Sequence, residues 1–148
     1  MCIRDRLRTW LKAACAESFD IDADFMKHND LHVHLPSAGI PKDGPSAGVA
    51  LISGYVSAMT GLAVRHDIAM TGEVTLRGQV LPVGGIREKV LAAHRAGIRD
   101  VILPARNRKD EPEIPERARE DLRLHYVSSI DEVLDLVLID NDEASAAQ

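Results

Sequence analysis

Ser46 lies in the run Pro41-Lys42-Asp43-Gly44-Pro45-Ser46-Ala47-Gly48, where a loop rich in glycine and proline passes into an apolar stretch of helical character. A serine is a weak nucleophile until a neighbouring base takes its proton. Lys89, in Gly84-Gly85-Ile86-Arg87-Glu88-Lys89, is a candidate for that base. The first backbone N–H groups of a helix have no intrahelical partner, so a tetrahedral oxyanion formed at Ser46 would meet donors there. Gly44, Pro45 and Ala47 shape this turn. Loss of one oxyanion donor in a serine hydrolase costs on the order of 3 kcal/mol, which makes the turn nearly as important as the hydroxyl. Together the two residues suggest a serine-lysine hydrolase. The plainer reading of Ser46, a helix cap, is the preferred one while Lys89 is left aside. To serve as a base, Lys89 must lose several units of its ordinary pKa of about 10.4 through burial. Ile86, Val90 and Ala93 would lie beside it on a helix, whereas Arg87 and Glu88 describe a solvated turn, so both faces stay open. Thr71, in Met70-Thr71-Gly72-Glu73, is a candidate to accept a hydrogen bond from the amine, as the orienting third member of a triad does, although alone it reads as a strand-end threonine.

Other chemistries fit less well. Gly39 and Gly44 bracket four residues ahead of a serine, but Pro45 stands where a phosphate loop needs its lysine, and it lacks an N–H. Lys42 precedes Ser46, the reverse of the Ser-x-x-Lys order of penicillin-binding enzymes. His32 and His34 have metal-ligand spacing on one face of a strand, with no third ligand evident beyond His28 or Asp30, so no metal is expected. A Ser-His-Asp arrangement drawing on His32, His34 or His66 is the remaining competitor.

These residues must be carried by a chain of 148 residues that is 45% hydrophobic and 28% charged, enough for one domain with a real core. A net charge of −5, with basic residues interspersed among acids, argues against a nucleic-acid partner. Cys2 and Cys15 show neither zinc nor disulfide spacing, and no apolar run is long enough to span a bilayer. A reducing cytoplasm is the simplest compartment, and no export signal is visible.

The spacing predicts a helix over 5–18, a polar connector over 20–29 and a strand over 31–35. A loop over 37–44 leads into a buried helix over 47–59 closed by Gly61, in which Gly48 and Gly54 would permit close packing. A strand over 68–71 is followed by a hairpin from 74–76 to 80–83 and a helix over 86–96 closed by Gly97. Then come a buried strand over 101–103, short helix and loop over 106–120, and a strand over 122–127. Ser129 and Glu132 spell a capping box ahead of the stripe Ile130, Val133, Leu134, Val137 and Leu138, and 140–148 reads as a disordered tail. No repeat or interdomain linker is visible. The order implies a single α+β domain of mixed sheet packed with helices.

Four separated motifs carry a resemblance: Asp30-Leu31-His32-Val33-His34, the Pro41 to Gly48 run, Met70-Thr71-Gly72-Glu73-Val74-Thr75-Leu76-Arg77-Gly78, and Val80-Leu81-Pro82-Val83-Gly84-Gly85-Ile86-Arg87-Glu88-Lys89. From Leu31 to about Leu138 the chain resembles the proteolytic domain of Lon, the ATP-dependent serine protease. The resemblance implies the Lon-type fold, Ser46 as nucleophile and Lys89 as general base, with the separation of the two matching the family's. It implies Thr71 as support for the lysine, Asp43 in a loop that blocks or opens the site, and His32 in a supporting place on the adjacent strand. The reaction implied is hydrolysis of peptide bonds in unfolded or damaged proteins through an acyl-enzyme, without a metal. The family works as a homo-hexameric ring whose ATPase module, using ATP and magnesium, unfolds substrates and feeds an enclosed chamber. No Walker motif occurs in this chain, so that module and its cofactors are expected elsewhere in a parent protein. Residues 1–30 are read as an N-terminal helix and connector, with 1–6 as a truncated or artificial start, and 31–139 as the proteolytic core. Strands that the family carries ahead of the first helix are expected to be missing. The alternatives are a noncatalytic assembly module, as in Lon-like domains of a bacterial DNA-repair ATPase, or an inactive fragment. Bacterial cytoplasm is the expected location, with the mitochondrial matrix as the second choice.

Overall fold

The computed structural model describes residues 44–140 and, apart from these, His28 and His32. In chain order the elements are α1 (Gly48–Thr60), β1 (Ala63–Val64), β2 (Ile68–Met70), β3 (Glu73–Val74), β4 (Val80–Leu81), α2 (Ile86–Arg95), β5 (Asp100–Pro104), a 3-10 helix (Ala105–Glu113), α3 (Glu116–Asp121), β6 (Arg123–Val127), α4 (Ile130–Val137) and β7 (Leu138–Ile139). Helices combine with parallel and antiparallel pairs, so the domain is α+β as expected.

β5 is buried at every position because it is the middle strand of a parallel sheet in the order β2-β5-β6. Helices cover both faces of such a sheet, so its central strand reads as an unbroken apolar run rather than an alternation. Successive side chains then sort the core into two layers. Ile102 packs with Val49, Ile52 and Val56 of α1 and Val133 and Val137 of α4. Val101 and Leu103 pack with Ile86, Val90 and Ala93 of α2 and Ala118 of α3. The strand ladder pairs Ile68 with Asp100 and Asp100 with Arg123, which places three strand starts side by side.

Most predicted boundaries within 44–140 hold to within a residue or two. α1 closes on Gly61 in the left-handed conformation (φ 76), whose N–H donates to the Ser57 carbonyl at 2.9 Å. The Ser129–Glu132 capping box is present in both directions. The hairpin is shorter than predicted, Glu73–Val74 against Val80–Leu81, and its turn docks on the start of α4 through Ile130 N–H to Gly78 C=O at 2.8 Å. Leu138 is a correction. It leaves the helical stripe and pairs with Val64 in the antiparallel β1-β7 ribbon. A two-residue strand has no periodicity to detect, so that pairing had no local signal.

His28 is helical where a connector was predicted, and His32 is exposed and outside any strand, so the strand predicted over 31–35 is not seen at that position. The helix predicted over 5–18, the loop over 37–43 and the tail from 141 onward lie outside the described residues.

Candidate active site

The chain enters α1 through Ser46, but Ala47, not Ser46, is the N-cap, and no side chain caps the helix. The capping reading of Ser46 is thereby corrected: its backbone carries the structural role. The Ser46 carbonyl accepts hydrogen bonds from the Gly72 N–H at 2.9 Å and from Thr71 Oγ1 at 3.3 Å. In return the Val49 N–H donates to the Gly72 carbonyl at 3.2 Å. Ala47 and Gly72 form an isolated parallel bridge, so the serine turn is laced to the chain leaving β2.

Two glycines permit this approach. A Cβ on Gly48 would lie 3.1 Å from the Val74 nitrogen and 3.2 Å from the Gly72 oxygen, and one on Gly72 would lie 2.9 Å from Val80 Cγ1 and 3.0 Å from Val49 Cγ1. Gly54, expected to serve the same purpose, would meet nothing within 4 Å. Overpacking of this kind costs typically 1–3 kcal/mol. Gly72→Ala is expected to lower stability by about 2 kcal/mol in urea denaturation. An unchanged midpoint would show that the lacing is looser than described.

Lys89 lies in the first turn of α2, where its N–H donates to the Gly85 carbonyl at 3.1 Å. Gly85 precedes the helix at φ 68, a conformation that suits glycine, and no side chain caps this start. The Lys89 side chain turns inward, away from exposed Arg87 and Glu88, and Nζ donates to Thr71 Oγ1 at 3.2 Å. The Thr71 hydroxyl spends its one hydrogen on the Ser46 carbonyl, so what it offers the lysine is a lone pair. A neutral amine held in this way keeps its own lone pair free for a proton. Burial pushes the Lys89 pKa below its ordinary value, and no neighbouring charge contributes.

Ser46, Thr71 and Lys89 line one pocket of about 260 Å³ with Ala47, Ala50 and Met70 among its walls. No other ionisable side chain lines it among the described residues. Three elements therefore converge: the start of α1 brings the hydroxyl, the end of β2 the threonine, and the first turn of α2 the amine. Ligand crevices at the carboxyl ends of parallel strands follow the same logic.

The remaining predicted residues divide. Gly44 and Pro45 are exposed at the mouth of the turn, and Pro45 contributes a carbonyl that accepts from the Gly48 N–H at 3.0 Å. The Gly48 and Val49 amides are engaged internally, whereas those of Ser46 and Ala47 have no hydrogen-bond partner among the described residues. Asp43 lies outside the described residues. His32 and His66 are exposed, and neither lines the pocket. The apolar walls were missed in the sequence. Ala50, in the first turn of the helix that follows Ser46, had a detectable signal in its nearness along the chain, and Met70 had none.

Residues 8–140 match the profile of the Lon protease (S16) C-terminal proteolytic domain. The chain belongs to this family. It is 56% identical over 126 residues to a Lon protease of Anaeromyxobacter dehalogenans, covering 85% of this chain and 15% of that protein. It is 52% identical over 139 residues to Lon protease 1 of Herpetosiphon aurantiacus, covering 94% of this chain and 17% of the relative. Lon protease 2 of Thermus thermophilus is 55% identical over 121 residues, 82% of this chain and 15% of its own. This Lon-family domain thus spans between 15% and 17% of the length of these bacterial relatives. Among its described residues no helix is long and apolar enough to cross a membrane.

Proposed function

We propose that this domain is a serine peptidase in which Ser46 is the nucleophile and Lys89 the general base. The observation that carries the reading is the half-buried Lys89 amine, held by Thr71 in the same pocket as Ser46 and shifted toward its neutral form. Neutral Lys89 takes the Ser46 hydroxyl proton, and the oxygen attacks the peptide carbonyl. The resulting oxyanion is met by backbone amides of the Ser46 turn. Collapse breaks the C–N bond, the Lys89 ammonium returns its proton to the leaving amine, and an ester to Ser46 remains. Water, deprotonated by the same amine, then releases the acid and restores the serine. This chemistry draws on no cofactor of the domain itself. The substrates proposed are unfolded or damaged polypeptides, supplied in the bacterial cytoplasm by an ATPase module of a longer, ring-forming parent that works as a hexamer.

An activated-serine probe tests the reading. A fluorophosphonate is expected to add one adduct to the wild-type chain, mapped by mass spectrometry to Ser46, with no adduct on Ser46→Ala. Labelling elsewhere, or equal labelling of the alanine variant, would reject Ser46 as the nucleophile. No labelling would favour the noncatalytic assembly module.

A further inference from the structure

Asn107 is a polar side chain only 2% exposed, in the 3-10 helix that follows β5. Its amide closes a two-point pair with one residue: Oδ1 accepts from the Val83 N–H at 3.0 Å, and Nδ2 donates to the Val83 carbonyl at 2.9 Å. This is the exchange that a neighbouring strand would make with an extended residue, here supplied by a side chain. The second Nδ2 hydrogen goes to Asp110 Oδ2 at 2.6 Å, which fixes the plane of the amide.

Val83 is followed by Gly84 and Gly85, the two residues that lead into α2. α2 has no side-chain cap, and its first turn is closed only by backbone, the Lys89 N–H donating to the Gly85 carbonyl at 3.1 Å. Beyond the glycines, the nearest fixed point upstream is the backbone of Val83. Downstream, Ile86, Val90 and Ala93 anchor the helix in the apolar layer through contacts that are not directional. Lys89 hangs from this first turn, and its reach to Thr71 at 3.2 Å depends on where the turn begins.

We propose that Asn107 is a positioning residue for Lys89: by clamping both backbone groups of Val83 it sets the start of α2 and hence the depth of the amine in the pocket. The inference rests on the Ser46–Lys89 reading, and its test separates the two.

Asn107→Asp keeps size and the acceptor for the Val83 N–H, but it removes the donor to the Val83 carbonyl and sets a carboxylate against Asp110. Asn107→Asp combined with Asp110→Asn restores a donor–acceptor pair between 107 and 110 while the Val83 carbonyl stays unclamped. The rate of Lys89 modification by an amine-reactive acylating reagent, followed by mass spectrometry across pH, reads the state of this amine without any need for catalysis.

Misplacing a catalytic group by about an ångström costs up to roughly 100-fold in rate. In both variants the Lys89 labelling midpoint is expected to rise by about one pH unit toward the ordinary lysine value. Peptide cleavage is expected to show kcat at least about 10-fold lower with KM within about twofold. The double variant is expected to recover the melting temperature without recovering either readout. If it regains both along with its stability, or if the Lys89 midpoint does not move in a folded Asn107→Asp protein, the clamp is only structural and the proposal falls. If wild-type Lys89 itself titrates as an ordinary lysine, it is the dyad that falls.

Discussion

Lys89→Arg is expected to reduce peptide cleavage by at least about 10³-fold while leaving substrate binding nearly unchanged, because arginine retains the charge and can still donate to Thr71 but cannot release a proton near neutral pH. The substitution therefore separates a base from a mere positive electrode. If Lys89 acted only by electrostatic attraction on the oxyanion, arginine would preserve much of the rate. The wild-type dependence of kcat/KM on pH should rise through the pKa of the free-enzyme amine. That limb is expected below the ordinary lysine value of about 10.4, since burial favours the neutral form. A profile that rises only near that value would remove the case for a pre-activated base.

The same burial has an effect on stability of defined sign. Between the depressed pKa of the folded state and the ordinary value in the unfolded chain, the unfolded chain binds the additional proton, so stability rises with pH across that window. Lys89→Met, which removes the group that must be neutralised, is expected to raise the melting temperature at neutral pH while abolishing cleavage. Such a trade is common where a site is built against local stability.

The largest loss of stability is expected from Asp100, far from the pocket, at the start of β5. Its side chain is 3% exposed and accepts from four donors. Arg123 Nε reaches Oδ1 at 2.8 Å and a terminal guanidinium nitrogen reaches Oδ2 at 2.6 Å, a two-point pair. His125 Nε2 lies 2.7 Å from Oδ1, and Arg65 donates to Oδ2 at 3.0 Å while also gripping Asp67. The cage joins β5 to β6 and to the chain between β1 and β2. Its hydrogen bonds, Arg123's foremost and then those of His125 and Arg65, outweigh the burial cost and hold the carboxyl well below the usual carboxylate range.

Removing one partner of a buried ion pair typically costs 3–5 kcal/mol, because the remaining charges are stranded. Arg123 still reaches water, so Asp100→Ala is expected at the lower end, about 3 kcal/mol, or a fall of about 9 °C in melting temperature. The wild-type contribution is full above the unfolded carboxylate value near 3.9 and declines as pH falls below it, where the unfolded chain takes up the proton first. Urea titrations at pH 7 and pH 2.5 should show the gap between wild type and variant narrowing in acid. A gap of equal size at both would mean that packing, not charge, holds this corner.

The sequence by itself nominated candidate residues for the chemistry and determined the elements with strong local signals. Ser46, Thr71 and Lys89 stood out through their motifs, and α1, α2 and α4 through apolar spacing and their closing or capping residues, because these features are written within a few turns of chain. β5 was legible as a strand for the same reason, its apolar run reflecting cover on both faces. What remained undecided was the direction of Lys89, since the flanking residues on α2 are apolar on one side and charged on the other. Only the packing of α2 against β2 and β5 turned its amine toward Thr71. The β1-β7 ribbon, the four-donor cage on Asp100 and the Asn107 clamp on Val83 were equally invisible, for each joins residues distant in sequence and leaves no local period or motif. Local physics nominated candidate groups, and long-range contacts decided which of them meet, because burial and hydrogen-bond geometry exist only once separate elements are brought together.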